Sequence, residues 1–182
     1  SPVGSMAFGA GVIDAVTGSR MLMNLLCLGA VSVIVLLAYR RLVPTVLTVV
    51  PVGVVIAWSS LDMLLLGIPL NPLTAILGVL IIGIGTEFMV VIHGRYEEEK
   101  SRGSKPRQAM ITAITKTGRA VMTTALTTLG GFGVLIASDF VMIRDFGIAT
   151  VIGVLLCLVI TLAVMPGLMV WYDELGGKQH AS

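Results

Sequence analysis

The stretch "LTAILGVLIIGIGTEFMVVIHGRYEEEK", residues 73–100, stays apolar to His93 and then turns abruptly into charge. From Leu73 to His93 it runs 21 residues with one carboxyl, Glu87. Crossing the hydrocarbon of a bilayer takes about 20 apolar residues in a helix. The stretch therefore reads as a transmembrane helix that surfaces at Arg95. Glu87 is the anomaly within it.

The rest of the chain has the same solvent. Hydrophobic residues make up 56% of it, charged residues 12%, and the mean hydropathy is +1.00, whereas a soluble domain carries roughly a quarter charged residues. A protein living in lipid is implied. Cys27 and Cys157 each lie in an uncharged apolar run, where a thiol behaves as a small hydrophobe, and no disulfide is expected.

Dividing the uncharged runs by span length gives an all-α bundle of five transmembrane helices, at about 21–39, 42–66, 73–93, 120–138 and 146–172. Pro51 inside the second predicts a kink. "GIPLNP", residues 67–72, reads as a turn, with Pro72 suited to the first turn of the next helix. The membrane domain spans 20–175, followed by a cytoplasmic tail, 176–182. Residues 1–19 show no basic leader with an apolar core. They read as the end of an extracytoplasmic segment or a helix leading into the membrane.

Orientation follows from the basic residues, which accumulate in cytoplasmic loops. One side holds ten of them, at 40, 41, 95, 100, 102, 105, 107, 116, 119 and 178; the other holds Arg20 and Arg144. The expectation is a multi-pass protein of the cell membrane, N-terminus outside and C-terminus in the cytoplasm. Between the third and fourth spans, residues 106–117 mix Ala109, Met110, Ile111, Ala113 and Ile114 with polar residues. This pattern suggests a short amphipathic helix in the headgroup plane.

On a helix from Leu73 to His93, Glu87 lies roughly 6 Å to the cytoplasmic side of the middle. An ionised group near the bilayer centre costs about 3 kcal/mol even on a lenient scale, and such groups face protein or a water-filled cavity. Ile76, Leu80, Gly83 and Gly94 share its face, and the glycines, with Gly85 close by, open room for another helix or for water. Two roles fit: a proton relay, or a protonated packing anchor bonded to a carbonyl. His93 reads as an interfacial residue. In the fourth span, "TTALTTLGGFG", residues 123–133, Thr123 and Thr127 share one face and Thr124 and Thr128 another. Their hydroxyls can bond back to the i−4 carbonyl, or reach across and order water near a carboxyl.

The succession "GIPLNPLTAIL", "GIGTEF", "TGRAVMTTALTTLGGFGVL" and "RDFGIATVIGVLLCLVITLAVMPGLM" resembles one half of the membrane domain of the resistance-nodulation-division (RND) superfamily. Its lipid and hydrophobe exporters, the hydrophobe/amphiphile efflux and MmpL-like branches, are nearest. The five-span block is also similar to a sterol-sensing domain. The resemblance implies export of hydrophobic or lipid substrates in exchange for protons by two such halves. It implies Glu87 as the proton carrier. Relatives often carry Asp followed by Tyr there. Phe88 cannot supply the phenol hydroxyl. Helical spacing, not the resemblance, makes Thr123, Thr124, Thr127 and Thr128 candidate relay members and Gly83, Gly85 and Gly94 packing positions around it.

Two function classes follow: the proton-relay half of an exporter, or a lipid-binding regulatory module that moves nothing. No nucleotide-binding loop or HExxH pattern occurs, so no enzyme, cofactor or metal is expected. The partners expected are the lipid bilayer, a hydrophobic or lipid substrate, and the parent transporter's other half or a second copy. Nucleic acid is not among them.

Overall fold

A computed structural model describes the backbone of residues 2–40, 42–68 and 71–179, with most side chains from Met21 to Asp173. Among these residues seven α-helices follow in order: α1 (Pro2–Tyr39), α2 (Leu42–Leu65), α3 (Pro72–Ala75), α4 (Leu77–Ser101), α5 (Pro106–Leu135), α6 (Val141–Val159) and α7 (Met165–Gln179). A π-helical turn, Ile160–Val164, joins α6 to α7. No strand occurs among the described residues. The fold is an all-α helical bundle, as its apolar runs require.

Among the described residues four stretches are long and apolar enough to cross a membrane: Met21–Tyr39, Thr45–Leu65, Leu73–Ser101 and Val141–Asp173. The remaining expected span, 120–138, falls largely within α5, where Thr123, Thr124, Thr127 and Thr128, with Arg119 just before them, make it less apolar than the others. The amphipathic stretch from Pro106 is helical too, but it is no separate helix in the headgroup plane. It forms the first turns of α5 and runs unbroken into the Thr/Gly segment. α2 likewise passes through Pro51 without ending.

Local chemistry sets the boundaries. α2 stops in a Schellman turn: Gly67 takes φ 63°, the amide of Ile68 donates to Met63 O and that of Gly67 to Leu64 O. Asn71 then caps α3, its Oδ1 accepting from the Thr74 amide at 2.9 Å while its own amide donates to Thr74 Oγ1 at 2.8 Å. Pro72 occupies the first turn, where its missing N–H costs nothing. Gly103, at φ 87°, ends α4 the same way as Gly67 ends α2.

α4 is the central helix. It packs against α1, α2, α3, α5, α6 and the π turn. Leu77, Ile81, Ile82, Phe88, Met89, Ile92 and Tyr96 each expose 1% of their surface or less. Glycines let neighbours approach it: a Cβ on Gly85 would stand 3.1 Å from Cys157 Sγ, and one on Gly78 would overlap the Asn24 side chain. Cys27 and Cys157 are both free. Large apolar side chains such as Leu37, Leu64 and Val134 are at least 70% exposed, as lipid-facing residues are.

Candidate functional site

One face of α4 is uncovered. Ile76, Gly83, Glu87, Val91 and Gly94 are exposed along it, and Leu80 is half-buried. The stripe is the one expected from helical spacing around Glu87. A Cβ on Gly83 would meet nothing within 4 Å, and one on Gly94 only the Tyr39 hydroxyl at 4.0 Å. Gly85 belongs elsewhere: it faces α6 and α2 through Cys157 and Val52, because two residues turn a helix by roughly 200°. It thins a core contact, not the Glu87 face. Beside the stripe, a cavity of about 270 Å³ between α1 and α4 is lined by Val31, Val35, Tyr39, Thr86 and Val90. The Thr86 hydroxyl is buried there without a hydrogen-bond partner.

Three of the four candidate threonines of α5 bond back to their own helix. Thr123 Oγ1 donates to Arg119 O, Thr127 Oγ1 to Thr123 O and Thr128 Oγ1 to Thr124 O, each at 2.9 Å. Thr123, Thr124 and Thr127 are exposed and Thr128 half-buried. Among the described residues no hydrogen bond joins any of them to Glu87.

His93 departs from its expected interfacial setting. It has no exposed surface. Its Nδ1 lies 3.1 Å from Thr48 Oγ1 of α2, and its ring stacks on Tyr39 of α1 with centroids 4.4 Å apart. The Tyr39 hydroxyl in turn donates to Val90 O at 3.3 Å. One turn further on, the Tyr96 hydroxyl bonds Asp173, which also takes Lys100 Nζ at 2.6 Å, tying α4 to α7. Glu99 ties α4 to α5, accepting from Arg95 at 2.5 Å and from Lys116 at 3.4 Å. Apart from the i,i+4 pair Arg95–Glu99, the links between helices had no spacing signal. Thr48 and Asp173 lie tens of residues from their α4 partners, so only the fold brings them together.

Among the described residues no group of three or more His, Cys, Asp or Glu is placed to hold a metal. What the chain presents is a core helix with an embedded carboxyl on an open face, and a closed polar cluster at its charged end. Compared with known families, residues 3–179 match the MMPL family. The chain belongs to the MMPL family.

Its relatives carry membrane names. The membrane protein MJ1562 of Methanocaldococcus jannaschii is 33% identical over 140 residues, covering 77% of this chain and 36% of that protein. The membrane protein ActII-3 of Streptomyces coelicolor is 26% identical over 176 residues, 94% of this chain and 25% of its own length. The hopanoid transporter HpnN of Burkholderia multivorans is 26% identical over 158 residues, 86% of this chain and 18% of that transporter. The chain thus spans little more than a third of the first of these relatives and less of the others.

Proposed function

We propose that this chain is one half of the membrane domain of an RND-type, proton-driven exporter of hydrophobic or lipid-like substrates, with Glu87 as the proton carrier. The observation that carries the reading is the open stripe on the central helix. A carboxyl on an apolar helix does not sit facing hydrocarbon, yet Glu87 and its flanking glycines are uncovered in a chain matching only 36% of its archaeal relative. A second half, or a second copy, laid against Gly83 and Gly94 covers the carboxyl and closes a water-accessible site around it. The hopanoid transporter among the relatives supports a lipid-like substrate. Export by the full-length protein under an imposed pH gradient, with Glu87→Gln, is the test.

In this reading the Thr/Gly part of α5 is the fourth of five crossings, so the basic stretch from Arg95 to Arg119 is cytoplasmic and the N-terminus outside. Ser104→Cys in the full-length protein should be protected from an impermeant maleimide in intact cells and labelled after permeabilisation. Labelling of intact cells would refute the orientation.

One observation favours a lipid-binding module instead. A groove of about 450 Å³ between α1 and α2 is lined by Leu25, Leu28, Gly53 and Ile56 and by Asn24 and Ser60. Asn24 Oδ1 is buried with no partner, its amide lying against Gly78 of α4. A hydroxyl-bearing lipid fits such a groove. Undiminished export by the Glu87→Gln variant would favour this reading.

A further inference from the structure

At the charged end of the bundle the chain reverses at Arg40, whose φ of 51° is the one positive value at a non-glycine among the described residues. Between this α1–α2 corner, α4 and α7 lies a cavity of about 480 Å³. No residue lining it belongs to the Glu87 stripe.

His93 lines the cavity and is fully buried. Thr48 engages its Nδ1 and Tyr39 fixes its ring plane, but Nε2 is buried with no hydrogen-bond partner. Buried polar atoms are normally satisfied. Either tautomer leaves Nε2 able to take one more bond, as donor or as acceptor.

The charges of the cavity narrow what can supply that bond. Lys100 is held by Asp173 at 2.6 Å and reaches Glu97 at 3.6 Å. The second cation, Arg40, enters no ion pair among the described residues, and Glu97 keeps only the longer contact. Among the described lining residues two cations balance two anions, yet they leave a guanidinium without an ion pair at one side and a carboxylate loosely held at another. A simple anion would satisfy the first and be repelled by the second. A zwitterion satisfies both. The first turn of α2, Leu42 and Val43, forms part of the wall, and its amides lack acceptors within the helix, which favours a phosphate there. Leu42, Leu47 and Met169 make the remaining wall apolar, and Leu42 is 70% exposed.

We propose that this cavity seats the headgroup of one zwitterionic phospholipid from the adjoining leaflet. The phosphate lies against Arg40 and the first turn of α2, the ammonium against Glu97, and the acyl chains leave along Leu42. A headgroup oxygen or bridging water meets His93 Nε2. The site is separate from the proton path and stands whether or not Glu87 carries protons.

Native mass spectrometry of the full-length protein, released from detergent after adding phosphatidylethanolamine, phosphatidylglycerol or soluble phosphoethanolamine, tests it. One phosphatidylethanolamine should survive activation that strips the others. Phosphatidylglycerol should be retained about tenfold less, the loss of one charge-assisted contact. Soluble phosphoethanolamine, lacking acyl chains, should not be retained. Arg40→Ala should lower retention by a similar factor and Arg40→Lys less, while Arg107→Ala, basic but outside the cavity, should change nothing. Val43→Trp fills the cavity without altering its charge and should also abolish retention, which keeps the test decisive if Arg40→Ala fails to fold. Equal retention of the two lipids, full retention by Val43→Trp, or a matching loss in Arg107→Ala would each overturn the proposal.

Discussion

Replacing Glu87 with glutamine should reduce proton-driven export by the full-length protein to background while leaving its membrane yield unchanged. The amide has the shape of the protonated acid and can still donate a hydrogen bond, so a packing role survives the exchange. A relay does not, because an amide cannot titrate. Folding tolerates the change because Glu87 is exposed on α4 and the core faces the other way. Glu87→Asp should keep part of the activity, since the carboxyl is withdrawn by about one methylene yet still ionises. Thr127→Val should change export by less than about twofold, because its hydroxyl already donates to Thr123 O on its own helix. Transport assayed against an imposed pH gradient, with yield followed by immunoblot, separates these outcomes. Full export by Glu87→Gln ends the relay reading.

The second large effect is structural and lies at Gly147. A methyl group there would stand 2.9 Å from Leu135 Cβ, 3.0 Å from Phe132 O and 3.2 Å from Ile136 N. Two of those atoms are main chain of α5 and its C-terminal cap, so no rotamer change relieves the overlap. Gly147→Ala should destabilise the protein by about 1–3 kcal/mol, the usual range for overpacking, and Gly147→Leu should abolish a folded product. Gly153 is the control. A Cβ there also meets a neighbour, Ile81 Cδ1 at 2.6 Å, but that atom is the tip of a side chain that can turn. Gly153→Ala should therefore be the milder of the two. Thermal melting of the detergent-purified full-length protein measures both, and equal losses would show that the α5–α6 approach is not the tight one.

The outline of the fold was legible because lipid imposes it. Runs of about 20 apolar residues can do little but cross or pack as helices, and the breaks at Gly67, Asn71 and Pro72 follow from turn and capping chemistry written in adjacent residues. The Glu87 face was legible for a similar reason, since Gly83, Glu87 and Gly94 share a side through helix periodicity alone. Gly85 falls outside that face, since two residues turn a helix by roughly 200°, and only the fold shows it against Cys157 and Val52. His93 was illegible in principle. Its partners Thr48 and Tyr39 sit on two other helices, and only tertiary packing turns a residue at an apparent membrane edge into a buried one. The joining of Pro106 and Leu135 in one helix was hidden by the charged residues at its start, whose pattern is the same for a separate surface helix and for the first turns of a long one.

That unbroken helix has a mechanical consequence. At 30 residues, α5 is about 45 Å long, and it has no proline past its first position and no π turn to absorb a bend. Its basic end and its Thr/Gly end belong to one continuous helix packed against α4 and α6. A tilt imposed where Arg107 and Lys116 meet their surroundings must reappear, reversed in direction, at Gly130 and Gly133. If α5 is the fourth crossing proposed above, the surface of the bilayer and its interior are levers on each other through this one element.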